Sequence, residues 1–162
     1  MLTLTKKTDY ALIALAHLAR EPGRMASARE IGDQNHVPVP LLMNVLKTLA
    51  RGGLVQSIRG ARGGYALAAD PEKTTLAQLI EAVEGPVRFV QCAGHTKNGR
   101  KAICKLEEFC PVRTPTMRVH ARLKAFFSTV MLSEIIGDAK GQNDGTGCFD
   151  AKELVDEESR VS

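Results

Sequence analysis

The chain has 162 residues, enough for one domain or for a small domain with a long appended element, and 44% of them are hydrophobic. Only 4% are aromatic and tryptophan is absent, which disfavours a protein that stacks single-stranded bases on aromatic rings. The formal charge of +4 is uneven, because residues 1–70 carry nine Lys/Arg and five Asp/Glu whereas residues 138–162 carry three and seven. A basic N-terminal part of this kind favours binding to double-stranded DNA.

The sequence has no apolar run that approaches the roughly 20 residues of a membrane helix, and its first ten residues lack the apolar stretch of a signal peptide. We therefore expect a cytoplasmic protein with no membrane partner. Four cysteines in a reducing compartment favour metal ligation or redox chemistry over disulfides. Inert thiols that only pack are the alternative.

Three helices are predicted at the start of the chain. The first begins after Thr5, a good N-cap, and ends near Gly23. The second opens at Ser27 with a capping-box pattern completed by Glu30. The third spans Pro40 to Arg51, and its short connection to the second predicts a helix-turn-helix.

The third helix has one apolar stripe and one polar, basic face, as expected of a helix that lies in a DNA major groove. Asn44 is the best candidate for reading a base, because an amide can pair with adenine through N6 and N7. Lys47 and Arg51 are expected on phosphates. The alternative is that Asn44 merely faces solvent. The candidate DNA-binding residues of this helix are Pro40, Met43, Asn44, Lys47 and Arg51.

Two short β-prone runs, Leu54–Ile58 and Tyr65–Ala68, flank a glycine-rich tip and predict a hairpin. Because the hairpin directly follows a helix-turn-helix, we interpret it as a wing. Arg59, Gly60 and Arg62 of its tip are candidate contacts to a narrow minor groove and to phosphates. An ordinary hairpin with solvated arginines is the alternative.

Thr75 and Gln78 form a second capping-box pattern, which predicts a fourth helix that closes at Gly85-Pro86. The expected organisation is mainly α with a small β wing. A winged helix-turn-helix at 1–86 precedes a cysteine-bearing loop at 87–111, a long dimerisation helix at 112–137 and a flexible acidic tail at 138–162 with at most a short helix. A continuous helix of about 25 residues would span roughly 37 Å, so pairing with a second copy is the economical way to bury its apolar stripe.

Cys92, Cys104 and Cys110 are the candidate metal ligands. Eleven and five residues separate them, whereas structural zinc sites usually pair thiolates two to four residues apart. Iron–sulfur clusters accept thiolates from an open loop at wider spacings. The spacing therefore favours a cluster, either [2Fe–2S] or [4Fe–4S].

The chain also resembles a known family over about residues 1–136. The resemblance is carried by Thr5 through Leu12, Gly53-Leu54-Val55, Arg59-Gly60 with Gly63-Gly64-Tyr65, Glu84-Gly85-Pro86, and Cys92 through Cys110-Pro111. These segments are similar to the Rrf2 family, which includes iron–sulfur regulators of the IscR type, nitric oxide sensors of the NsrR type and regulators of SUF cluster assembly. The resemblance implies a homodimer with a winged helix-turn-helix and a cluster held by the three cysteines.

Two departures from the IscR type leave details open. A ligating His follows the third cysteine of that type by three residues, and Arg113 stands there in this chain. The nitric oxide sensor type instead implies Asp9 as the fourth ligand, with His95, Glu107, His120 and Cys148 as the other candidates. Met43 replaces an acidic residue of the IscR type in the third helix, so a different operator sequence is expected.

The sequence thus predicts a non-enzymatic regulator that binds an operator as a dimer and takes no small-molecule substrate. The family resemblance implies that it is a repressor of SUF genes. Loss of the cluster is expected to change the spacing of the two DNA-binding heads. The alternatives are a regulator that responds to nitric oxide or oxidants, and a cluster-free protein that senses through its thiols. A redox enzyme or electron carrier is disfavoured, because the chain has neither a Cys-x-x-Cys pair nor a nucleotide-binding glycine motif.

Overall fold

The computed structural model describes residues 4–60, 63–90, 104 and 109–137. These form six helices and one two-stranded antiparallel sheet, which confirms the predicted fold class. In chain order the elements are α1 (Lys6–Arg20), α2 (Ala28–Asn35), α3 (Val39–Arg51), β1 (Val55–Ile58), β2 (Gly64–Leu67), α4 (Leu76–Val83), α5 (Arg113–Thr129) and α6 (Leu132–Ile136). None of the described helices is long and apolar enough to cross a membrane.

The helix starts follow their capping residues. The Thr5 hydroxyl accepts a hydrogen bond from the Lys7 amide, and Thr75 and Gln78 form the complete reciprocal capping box that opens α4. At α2 only half of the predicted box forms. The Ser27 hydroxyl accepts from the Glu30 amide at 3.1 Å, while the Glu30 carboxylate instead accepts from Arg24 at 2.8 Å.

One apolar core joins α1, α2, α3 and α4. Leu15, Ile31, Leu46 and Leu79 are completely buried, each on the inward face of its helix. The two strands pair from Val55↔Leu67 to Ile58↔Gly64. The first strand begins one residue later than predicted, and the second begins and ends one residue earlier than predicted. The hairpin is tied to the α1–α2 connection by reciprocal bonds between Ala26 and Tyr65, at 2.9 and 2.8 Å.

The prediction of one long helix at 112–137 is wrong at its C-terminal part. The backbone is extended at Val130, where α5 ends, and α6 starts only at Leu132. The carbonyl of Val130 accepts from the Leu76 amide at 2.9 Å, and the Leu132 amide donates to Thr74 at 2.7 Å. These backbone partners replace the bonds of a continuous helix, and Leu132 and Ile136 enter the core beside α1.

Candidate nucleic-acid interface and metal-ligating residues

The third helix, α3, presents its predicted DNA-facing residues together. Leu42, Leu46 and Leu49 are completely buried on one side. The opposite side is a single exposed face because its members are spaced three or four residues apart. This recognition face consists of Pro40, Met43, Asn44, Lys47 and Arg51, all exposed.

The connection between α2 and α3 depends on a glycine that the sequence analysis missed. His36 adopts the left-handed conformation with φ 54°, and the Val37 amide donates to the carbonyl of Gly32 at 3.0 Å. A Cβ at Gly32 would lie 2.9 Å from both the Val37 carbonyl oxygen and Val39 Cγ2. The close approach of the two helices therefore requires a residue without a side chain here.

The tip of the hairpin carries Arg59 and Gly60, and both are exposed. Gly60 has φ 130°, a conformation that L side chains rarely adopt, and its carbonyl accepts from Gly63 at 2.9 Å. Arg62 lies outside the described residues. The hairpin thus has the geometry of a wing with at least one guanidinium at its tip.

The N-terminal turn of α1 is bound to the end of α4 through Glu84. One carboxylate oxygen of Glu84 accepts from the Thr5 amide at 3.3 Å, from the Thr8 hydroxyl at 2.8 Å and from the Thr5 hydroxyl. Burial acts to raise the pKa of Glu84, but these hydrogen bonds and the charge of Lys7 outweigh it and lower that pKa. Two segments that carried the family resemblance, Thr5–Leu12 and Glu84–Pro86, are therefore in contact.

Among the candidate metal ligands, the structure places Asp9, Cys104 and Cys110. Asp9 is exposed in the first turn of α1, and both cysteines are half-buried and free of disulfides. The Cys110 carbonyl accepts from the Arg113 amide at 3.4 Å, which fixes Cys110 just ahead of α5. Cys92, His95, Glu107 and Cys148 lie outside the described residues. Within the described ranges, no three His, Cys, Asp or Glu side chains are grouped to hold a metal ion.

The remaining ligand candidate, His120, lies on the half-buried side of α5. Its Nδ1 atom is buried and has no hydrogen-bond partner among the described residues. The helix α5 packs against α4, and an ion pair of 3.5 Å between Lys124 and Glu81 joins the two helices one turn beyond His120. His120 lies within α5, whereas Cys110 precedes that helix.

The outer side of α5 carries apolar side chains that no described residue covers. None of the 17 residues of this helix is buried. Val112, Val119 and Phe126 recur every seven residues and are 58%, 42% and 59% exposed. Side chains at this spacing form one stripe along a helix, and an exposed apolar stripe is typical of an interaction surface.

Comparison with known proteins identifies the family. Residues 4–138 match the Rrf2 family, described as iron-dependent transcriptional regulators. An HTH-type transcriptional regulator of Aquifex aeolicus is 39% identical over 51% of this chain and 58% of its own length, so the chain spans little more than half of that relative. The HTH-type transcriptional regulator NsrR of Bacillus subtilis is 32% identical over 68% of this chain and 73% of that protein.

Solved structures give the same fold. The structure of CymR, the global cysteine regulator of B. subtilis, has a TM-score of 0.63 and 25% identity, covering 85% of this chain and 98% of CymR. IscR of T. potens has a TM-score of 0.60 and 24% identity, covering 90% of this chain and 94% of IscR. The relatives are transcriptional regulators and not enzymes. The chain therefore belongs to the Rrf2 family of winged-helix transcriptional regulators.

Proposed function

We propose that this protein is a dimeric regulator whose binding to operator DNA is controlled by an iron–sulfur cluster, and that it represses genes of SUF cluster assembly. The recognition face of α3 beside an arginine-bearing hairpin is the observation that supports DNA control most strongly. The free, half-buried thiols of Cys104 and Cys110 support cluster control. The SUF genes are the targets that the family resemblance suggests.

In the proposed complex α3 lies in the major groove, which is about 12 Å wide. Asn44 pairs with an adenine, while Lys47 and Arg51 neutralise phosphates. The hairpin tip brings Arg59, Gly60 and Arg62 to the adjacent minor groove, where a narrow groove attracts a guanidinium.

The donor set suits a cluster. Thiolates are the usual ligands of iron–sulfur clusters, and neither described cysteine is consumed in a disulfide. We assign Cys92, Cys104 and Cys110 as ligands, with Asp9 as the fourth. When bound, the cluster supplies a redox-active and oxidant-sensitive group.

The position of His120 argues against its joining this set. It lies seven residues beyond Arg113, which corresponds to roughly 10 Å along the helix axis. Cys110 precedes that helix, so the separation along the axis disfavours a compact cluster that takes both side chains. Asp9 stays the preferred fourth ligand because α1 is exposed at this turn.

A dimer formed through α5 would connect the cysteines to DNA binding. Cys110 is joined directly to α5, α5 packs on α4, and α4 packs on both α3 and α1. A change in position at the Cys110 end of α5 would therefore move one recognition face relative to that of the partner. Half-sites on DNA repeat at about 34 Å, so a small change in this spacing weakens specific binding.

The experiment selects high-affinity duplexes from a random library with anaerobically purified protein and then measures Kd by fluorescence anisotropy. Cys104→Ala should change operator affinity, and Cys148→Ala is the matched control because Cys148 lies outside the proposed three ligands. Equal operator affinities of the wild-type and Cys104→Ala proteins under anaerobic conditions would rule out cluster control and leave only the proposal of a DNA-binding protein.

A second candidate is a regulator that responds through oxidation of its thiols or to nitric oxide. It is favoured by the free thiols of Cys104 and Cys110 and by the likeness to CymR, a cysteine regulator, and to NsrR. Iron analysis separates thiol oxidation, which needs no iron, from the cluster-based mechanisms. The response to nitric oxide is tested by exposing the iron-loaded protein to nitric oxide and measuring release of operator DNA.

A further inference from the structure

A cavity of about 230 Å³ lies between α1, α3 and α4, directly beside the recognition face. Its apolar lining comes from Tyr10, Leu41, Val45 and Val83. Leu41 is 50% exposed, although Leu42, Leu46 and Leu49 of the same helix are completely buried. The cavity is thus an apolar recess that the described residues leave open.

The charged residues that line this cavity are both basic. Lys6 and Lys7 stand at its edge, at the start of α1, where the helix dipole adds positive potential. Asn44 of the recognition face is also part of the lining. The nearby carboxylate of Glu84 is occupied by hydrogen bonds from Thr5 and Thr8. The recess therefore suits an occupant that combines apolar side chains with negative charge.

The chain itself contains such a segment. Residues 148–158 carry Phe149, Leu154 and Val155 among five acidic residues and one lysine. This composition matches the recess in both respects, because an aromatic or branched side chain can fill it while the carboxylates face the lysines.

The connection is long enough to allow this contact. The helix α6 ends at Ile136 and packs beside α1, and the start of α1 lines the recess. Residues 138–147 can span at most about 33–36 Å when fully extended. A folded domain of about 100 residues has a radius of gyration of only about 13 Å.

We propose that the recess is a docking site for residues 148–158 of the same chain, and that the docked segment competes with operator DNA. Docking would cover Asn44 and place carboxylates next to Lys6 and Lys7, so DNA phosphates and the segment cannot occupy this surface together. The competition, but not the docking, rests on the proposed role of α3 in DNA binding.

Docking is tested without DNA by carbodiimide cross-linking of the full chain, followed by mass spectrometry of the product that has the mass of one chain. Lys6 or Lys7 should be joined to an acidic residue of 148–158, and Lys73 serves as the control because it lies outside the lining. Absence of these cross-links, or equal cross-linking of the segment to Lys73, would overturn the docking.

Competition is tested by combining Phe149→Ser with Leu154→Ser in the full chain and measuring operator Kd. Affinity should rise about 5-fold or more, the lower end of common coupling between two sites, while the control Val161→Ser leaves it unchanged. Unchanged affinity in the double variant would refute competition. Failure of the wild-type protein to select any duplex would instead refute the proposed function, and the cross-linking result would stand by itself.

Discussion

Replacement of Gly32 by alanine should destabilise the protein, although helix propensity alone predicts the reverse. Gly32 lies inside α2, where alanine is favoured over glycine by roughly 0.5–1 kcal/mol. The added Cβ would meet the Val37 carbonyl oxygen and Val39 Cγ2 at 2.9 Å, a distance at which one side must move. The carbonyl belongs to the tight α2–α3 connection, and Val39 is stiff because it is β-branched.

Overpacking of a buried site typically costs about 1–3 kcal/mol, so after the gain in helix propensity the net expected loss in the free energy of unfolding is about 0.5–2 kcal/mol. Because α3 begins at Val39, operator affinity should fall as well. The assay is urea unfolding followed by circular dichroism at one fixed protein concentration, since dimerisation would couple stability to concentration. Gln34→Ala, at an exposed position of the same helix, should stay within about 0.5 kcal/mol of wild type. A Gly32→Ala protein as stable as wild type, or more stable, would refute this account of the helix-turn-helix connection.

Three further predictions concern a half-buried histidine, the recognition face and the outer stripe of α5. Burial lowers the pKa of His17 against the opposing attraction of Glu30, and Asn35 donates to its Nδ1, so the folded state favours the neutral ring. The stability that this group contributes is present above about pH 6.5 and is lost as pH falls through the lowered folded-state pKa. His17→Gln should flatten this decline of the free energy of unfolding with pH. Equal slopes of that free energy against pH in both proteins would contradict the prediction. Asn44→Ala should weaken binding to the selected operator by about 1–3 kcal/mol and binding to random duplex only slightly. Lys47→Ala should weaken binding to both and reduce the slope of log affinity against log salt concentration by about 0.9. Identical effects of the two variants would disprove the assigned roles. Phe126→Asp should convert a dimer to monomers in sedimentation analysis, with Lys73→Ala as the exposed control, and a dimer that persists would move the interface away from α5.

Local capping chemistry made most of the fold predictable. Thr5, Ser27 and Thr75 each precede a helix because their hydroxyls accept a hydrogen bond from an amide of the first turn. The apolar stripe of α3 also determined which residues would share its exposed face. Information of this kind is contained within a few neighbouring residues, so the sequence alone suffices.

The break between α5 and α6 could not be predicted in this way. Leu132 and Ile136 continue the apolar pattern of the preceding helix, yet the carbonyl of Val130 bonds to Leu76, which is more than 50 residues away. Long-range backbone bonds and burial against α1 replace the local helical bonds here. Gly32 was missed for a related reason, because its importance comes from the packing of two helices and not from its own segment.

The candidate site was predictable in part. Helical spacing predicted that Asn44, Lys47 and Arg51 share one face, and in the structure all three are exposed on α3. The ligand set combines residues from α1 and from the chain ahead of α5, and no local pattern determines whether such distant residues meet. The assignment of Asp9 with Cys92, Cys104 and Cys110 therefore stays a proposal.

The most direct test of cluster control is the iron and sulfide content of the protein purified under anaerobic conditions, together with its visible absorption. We expect coloured protein with about two to four irons per cluster and matching sulfide, and loss of both in the Cys110→Ser variant. Colourless, iron-free wild-type protein after anaerobic reconstitution would contradict cluster control and leave a winged-helix regulator that senses through its thiols.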